Sequence, residues 1–213
     1  MRPNRVTVGP LVAASANAIC LSQTPTAGAL TLNGARVSGG VGILDVARRV
    51  LITCAGNEST RSFTLTGTSR SGVVQSETIT GPNATTAQSV LDYKTITRIT
   101  ISGNAAAGVT VGTSGVASSE WVKFSAWADA QIALQCVVSG TVNYTVQQTL
   151  DDPDNLADQV LIAAMTWFSH PDSNLVAATA SVQGNYGYSP VFVRVTLNSG
   201  TGSVALTAIQ QGV

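Results

Sequence analysis

Ile96–Gly115 reads ITRITISGNAAAGVTVGTSG, and Phe192–Gly212 reads FVRVTLNSGTGSVALTAIQQG. In both, an Arg precedes alternating β-branched or aliphatic residues and threonines, a small-residue loop follows, and the alternation resumes. Strict alternation is the period of a strand with one buried face, and a short Gly-containing interruption joins two such strands as a hairpin. A chain that writes the same hairpin twice, about a hundred residues apart, is predicted to be β-rich and internally repeated.

The repeat extends outward from these hairpins. Val50, Ile52 and Cys54 correspond to Ile132, Leu134 and Cys136 at an offset of 82, and Phe63 and Leu65 to Tyr144 and Val146 at 81. Arg98, Ile99 and Ile101 then match Arg194, Val195 and Leu197 at 96, and Val109 and Val111 match Val204 and Leu206 at 95. The jump between the second and third blocks places an insertion in the second half, at about 151–174, where alternation breaks. Within it NLADQVLIAAM (155–165) is the one segment with helical character, Asn155 serving as its cap. The predicted fold is all-β: two tandem, similar, antiparallel β-sandwich modules of jelly-roll-like form, 25–118 and 119–213, behind an extended N-terminal arm of residues 1–24.

Composition narrows the function. Hydrophobic residues make up 44% of the 213 and charged residues only 10%, with no net charge, where about 25% charged is usual. The surface is therefore covered by hydroxyls and amides. Without a run of Lys and Arg there is nothing to displace counterions from nucleic acid or to hold an anionic membrane, so neither partner is expected. The first 20 residues mimic a secretory signal, with Ala16-Asn17-Ala18 in the place of a cleavage site, but Gly9 and Pro10 interrupt the apolar core such a signal needs. They are expected instead to be an arm clamped by a neighbouring chain.

The residues that carry chemistry are sparse. One histidine, His170, cannot build a histidine metal site, and no G-x-S-x-G turn accompanies it. Asp151, Asp152 and Asp154 lack the Gly and distal Glu of a calcium loop and read as an acidic turn opened by Asp-Pro. No cofactor, no metal and no catalytic residue is expected, and the chain is read as non-enzymatic. Three cysteines are an odd number: Cys54 and Cys136 fall on inward positions, while Cys20, in the arm, is the candidate for an intermolecular disulfide. GNYGYSP (184–190) brings aromatics into a loop of small residues, which makes Tyr186, Tyr188 and Trp167 a candidate aromatic contact patch.

Several strings, ARRVLITCAGNESTRSFTLTGTSRSGVVQSETITGPN, TITRITISGNAAAGVTVGTSGVASSEWVKF, VSGTVNYTVQQTLDDP and RVTLNSGTGSVALTAIQQG, resemble β-rich structural proteins of tailed bacteriophages. The resemblance implies a virion component: a capsid decoration or cement protein stabilising the head by lattice contacts, or a collar or neck (head-to-tail) protein. Its partners would be the major capsid protein or neck- and portal-proximal proteins and further copies of itself, with the arm and the 151–174 insertion making the contacts. The alternative is a carbohydrate-binding or adhesin-like module of a tail fibre or baseplate.

Overall fold

The computed structural model describes residues 3–125, 127–128 and 131–212. Met1 and Arg2 of the expected arm lie outside the described residues, as do residues 126, 129, 130 and 213 of the expected second module.

Nearly every periodic segment is a strand. In chain order β1 is Asn4–Val8, β2 Ser15–Gln23, β3 Gly28–Ala29, β4 Val37–Ser38, β5 Val41–Arg48, β6 Val50–Cys54, β7 Ser62–Thr68, β8 Val74–Thr80, β9 Thr86–Gln88, β10 Tyr93–Ile101 and β11 Val109–Thr113. The second half contributes β12 (Ala117–Ser118), β13 (Val122–Lys123), β14 (Ile132–Ser139), β15 (Val142–Thr149), β16 (Phe168–Ser169), β17 (Val182–Tyr186), β18 (Phe192–Gly200) and β19 (Ser203–Gln210). All pairings between them are antiparallel.

Two compact units result. Val12–Gly115 is the N-terminal unit; the C-terminal unit joins the segment ending at Leu11 to the chain from Val116 onward. The N-terminal unit pairs a sheet of order β2-β11-β6-β9 with one of order β4-β5-β10-β7-β8. Their facing side chains, among them Ile19, Cys20, Ile52, Cys54, Phe63, Leu65, Ile99 and Val111, form one buried cluster. Burying each such aliphatic or aromatic side chain contributes about 1.5–3 kcal/mol. The C-terminal unit has sheets of order β1-β19-β14-β17 and β12-β18-β15-β16, with Leu134, Cys136, Tyr144, Val146, Val195, Leu197, Val204 and Leu206 buried.

The two orders correspond at seven positions: β1 answers to β2, β19 to β11, β14 to β6, β17 to β9, β18 to β10, β15 to β7 and β16 to β8. Register repeats as well. Ile99 pairs with Leu65 and Ile101 with Phe63, and their counterparts Val195 and Leu197 pair with Val146 and Tyr144. In the other sheet Val109 faces Cys54, whereas Leu206, not Val204, faces Cys136. That slip is two residues, the smallest that keeps the same side chains inward.

Residues 3–24 are not an arm. β1 pairs with β19 across five positions, Asn4 to Val8 against Ala208 to Val204, and β2 completes the sheet of the N-terminal unit beside β11. Both segments offer backbone donors and acceptors that the neighbouring strand satisfies, and β2 adds Ala18, Ile19 and Cys20 to the buried face. Downstream, Gly112 and Thr113 end β11, and Ala117 and Ser118 form β12.

The helix expected over 155–165 is replaced by a single 3-10 turn, Ile162–Ala164. Its physical cause is local. Asp152 accepts from the Asp154 N–H (3.0 Å) and Asn155 from the Ala157 N–H (3.1 Å), so short polar side chains turn the backbone before a helix nucleates. Leu156, Leu161 and Ile162 then find no core to bury against, and a helix this short is marginal without one.

Candidate functional site

Side chains of the C-terminal unit gather in two places, one on each face of the β18-β15-β16 sheet. On the outer face Trp121 lies 5.3 Å from Trp167 and 5.3 Å from Phe192, centroid to centroid. The Arg194 guanidinium stacks 3.9 Å from the Trp167 ring and donates to Gln147 Oε1 (3.0 Å), which also accepts from Thr196 (2.9 Å). Such stacking is a cation–π contact, and it accounts for how Arg194, only 7% exposed, is held. This group is a packed lid on the sheet, with Arg194 and Thr196 both held by Gln147.

On the inner face, at the β16–β17 end of the sandwich, the second group is less complete. Gln148 on β15 stands directly opposite Phe168 on β16, and the His170 N–H donates to the Val146 carbonyl (2.8 Å), which continues the pairing. Phe168, His170, Gln148 and Val146 therefore project to one side. Tyr186, at the end of β17, contacts His170 (ring centroids 4.4 Å) and Tyr188 (5.6 Å). The Gln148 amide donates to the Tyr188 hydroxyl. Beneath this, Tyr186 and His170 are 2% and 3% exposed.

Two polar atoms here lack a formed hydrogen bond, the Tyr186 hydroxyl and Gln148 Oε1, while His170 Nε2 turns to the Asn185 backbone. The Asp172 N–H donates to His170 Nδ1 (3.0 Å), so the neutral imidazole carries its proton on Nε2. Burial lowers the His170 pKa, against the opposing pull of Asp172 and the Asn185 backbone. Burial likewise pushes the Tyr186 phenol above its ordinary range. Both groups are neutral near pH 7.

The sequence-predicted patch is thus split. Tyr186 and Tyr188 come together, but Trp167 belongs to the opposite face, because alternation along 167–170 sends it away from Phe168 and His170. Gln148 and Phe168 were missed by sequence reasoning; the signal lay in the QQ and FS dipeptides, whose pairing was not assigned.

A groove of about 320 Å³ adjoins the loop after β17, bordered by Lys123, Phe124, Trp127, Asp152, Ser189 and Pro190. Trp127 is 98% exposed. The acidic turn beside it is committed to holding chain: Asp152 and Asp154 bridge to Lys123 at 3.3 and 3.1 Å, and Asp151 accepts from the Thr166 N–H at 2.6 Å. Among the described residues no three His, Cys, Asp or Glu side chains gather as metal ligands would.

Cys20 does not face solvent. It is fully buried, and desolvation pushes its thiol up to about 12. The thiolate needed to form a bridge is suppressed and the sulfur is enclosed, so an intermolecular disulfide from Cys20 would require opening the β2–β11 pairing. Cys54 and Cys136 are buried too, raised to about 11, in each case chiefly by desolvation.

At the edge of the inserted segment Leu150 is 70% exposed, and within it Leu156, Leu161 and Ile162 are 96, 69 and 47% exposed.

Comparison with family models, with curated proteins and with solved structures finds no match for this chain.

Proposed function

We propose that the chain is a non-enzymatic structural protein of a tailed-phage particle, a capsid decoration (cement) protein or a collar or neck component. It acts by contact with the major capsid protein or with neck- and portal-proximal proteins, and with copies of itself. The observation that carries this reading is the inserted segment. Leu150 at its edge and Leu156, Leu161 and Ile162 within it stand in water, and a segment so rich in exposed aliphatic side chains suits protein–protein contact.

A second feature supports it. β8 is the outermost strand of its sheet, paired only with β7, and Val74, Ser76, Thr78 and Thr80 on it are exposed. It carries neither the Lys nor the Pro that usually blunts an edge. Low surface charge also reduces the desolvation cost of a broad interface. With residues 4–8 and 15–23 consumed within the two units, the contact role expected of the N-terminal arm passes to the insertion.

The test is a Leu156→Asp/Leu161→Asp double variant supplied during particle assembly. Loss of incorporation, with an unchanged circular-dichroism spectrum and urea midpoint, is the expected result. Incorporation at the wild-type level would refute the reading.

A further inference from the structure

We infer that the β16–β17 end of the C-terminal sandwich is a binding site for a neutral saccharide, with Tyr188 and Phe168 as the stacking rims and Gln148 and Tyr186 as its polar floor. This goes beyond a purely contact-forming role and does not depend on it.

Three independent features of the site converge. First, Phe168 and Tyr188 are 63% and 42% exposed, although rings this large are ordinarily turned inward. They flank Gln148, since Phe168 is its cross-strand partner and Tyr188 its hydrogen-bond partner. Two accessible rings around a side-chain amide present apolar faces to the C–H side of a pyranose and a polar atom to its hydroxyls.

Second, the polar atoms left over are chemically complementary to hydroxyl groups. Gln148 Oε1 only accepts, and the Tyr186 hydroxyl donates or accepts. Both lack a hydrogen-bond partner, and leaving such groups buried and unpaired costs about 1–3 kcal/mol each. A sugar hydroxyl, donor and acceptor at once, would serve either of them. A purely apolar ligand would leave them orphaned.

Third, the site is uncharged. No member of the floor or rim carries a charge, and the neighbouring His170 is held neutral, which disfavours phosphate, carboxylate and amine ligands. The Trp121–Trp167–Arg194 group, by contrast, has its guanidinium already stacked and hydrogen-bonded, and beside the exposed Trp127 the charged Lys123 and Asp152 are committed to their own ion pair.

The test is ligand-observed saturation-transfer NMR and calorimetric titration of the full chain with neutral oligosaccharides built from glucose, galactose and N-acetylglucosamine. Tyr188→Ala, Phe168→Ala and Gln148→Ala are compared with a Trp127→Ala control; all four residues lie at or near the surface. The expected result is binding of at least one of these sugars, with affinity falling ~10-fold or more in Tyr188→Ala and Gln148→Ala and unchanged in Trp127→Ala. Tyr186→Phe, which keeps the ring and removes the hydroxyl, should weaken binding without unfolding the unit. Failure of every sugar to bind, or binding that survives Tyr188→Ala and Gln148→Ala intact, would overturn the assignment.

Discussion

Arg48 and Asp45 form a largely buried ion pair, 3.1 Å apart, that fastens the two ends of the N-terminal unit. The Arg48 guanidinium donates to the Val12 carbonyl (2.7 Å) and, through Nε, to the Ser114 carbonyl (2.8 Å). Asp45 accepts from the Val12 N–H (2.8 Å). Val12 and Gly115 bound this unit, so one side-chain pair holds the chain where it comes in and where it leaves.

Replacing Arg48 by Met keeps most of the volume but removes the buried cation from Asp45 and the donor from two carbonyls. Removing one member of a buried pair costs about 3 kcal/mol. Urea denaturation followed by circular dichroism should show a lower midpoint for Arg48→Met.

Asp45 sets an acid limit. Burial works to raise its pKa, but hydrogen bonds from Val12 and Arg48 and the charge of Arg48 bring it below the ordinary carboxylate value. A carboxyl depressed in the folded state stabilises above its unfolded pKa, about 3.9, and that contribution is lost as pH falls through the folded value. Asp45→Asn should be less stable than wild type at pH 7, with the difference shrinking as the pH drops below 4. Thermal melts between pH 2 and 7 measure this directly.

The two halves should differ when separated. Residues 12–115 hold every strand of their own sheets and both ends of the Arg48 clasp, so that fragment is expected to fold alone. Residues 116–213 lack β1 and leave an edge of β19, whose Val204 and Leu206 are fully buried in the whole chain. The fragment should be unstable or aggregating, and rescued when a peptide of residues 3–11 is added in trans. Heteronuclear NMR of each fragment distinguishes the outcomes.

Gly112 lies where β11 meets β2, and a Cβ there would overlap the Ser15 carbonyl oxygen. Gly112→Val should displace β2 and, as overpacking does, cost on the order of 3 kcal/mol. Hydrogen exchange should show β2 losing protection first. In the native wild type, Cys20, Cys54 and Cys136 should all resist thiol reagents and react together on denaturation.

Much of this architecture was legible in the residues. Alternation alone places Ile52, Cys54, Phe63 and Leu65 inward, and the repeat of that pattern at Leu134, Cys136, Tyr144 and Val146 anticipates two matching sandwiches. Strand partnership was not legible, because pairing such as Val8 with Val204 is decided by tertiary contact across almost the whole chain. SANAICLSQ is too rich in small residues to announce a core strand, so β2 read as an arm. The helix at 155–165 failed because hydrophobic content without a surface to bury against does not make one. At the candidate site the adjacency of Tyr186 and Tyr188 follows from their spacing across Gly187. The partnership of Gln148 with Phe168 depends on how the insertion returns to β15, which periodicity does not encode.

The most direct test of the proposed contact role in a virion is quantitative mass spectrometry of tailed-phage particles purified from a culture that expresses this chain. The account predicts on the order of tens to hundreds of copies per particle, as a symmetric ring or shell requires. Absence from the purified particle would contradict it.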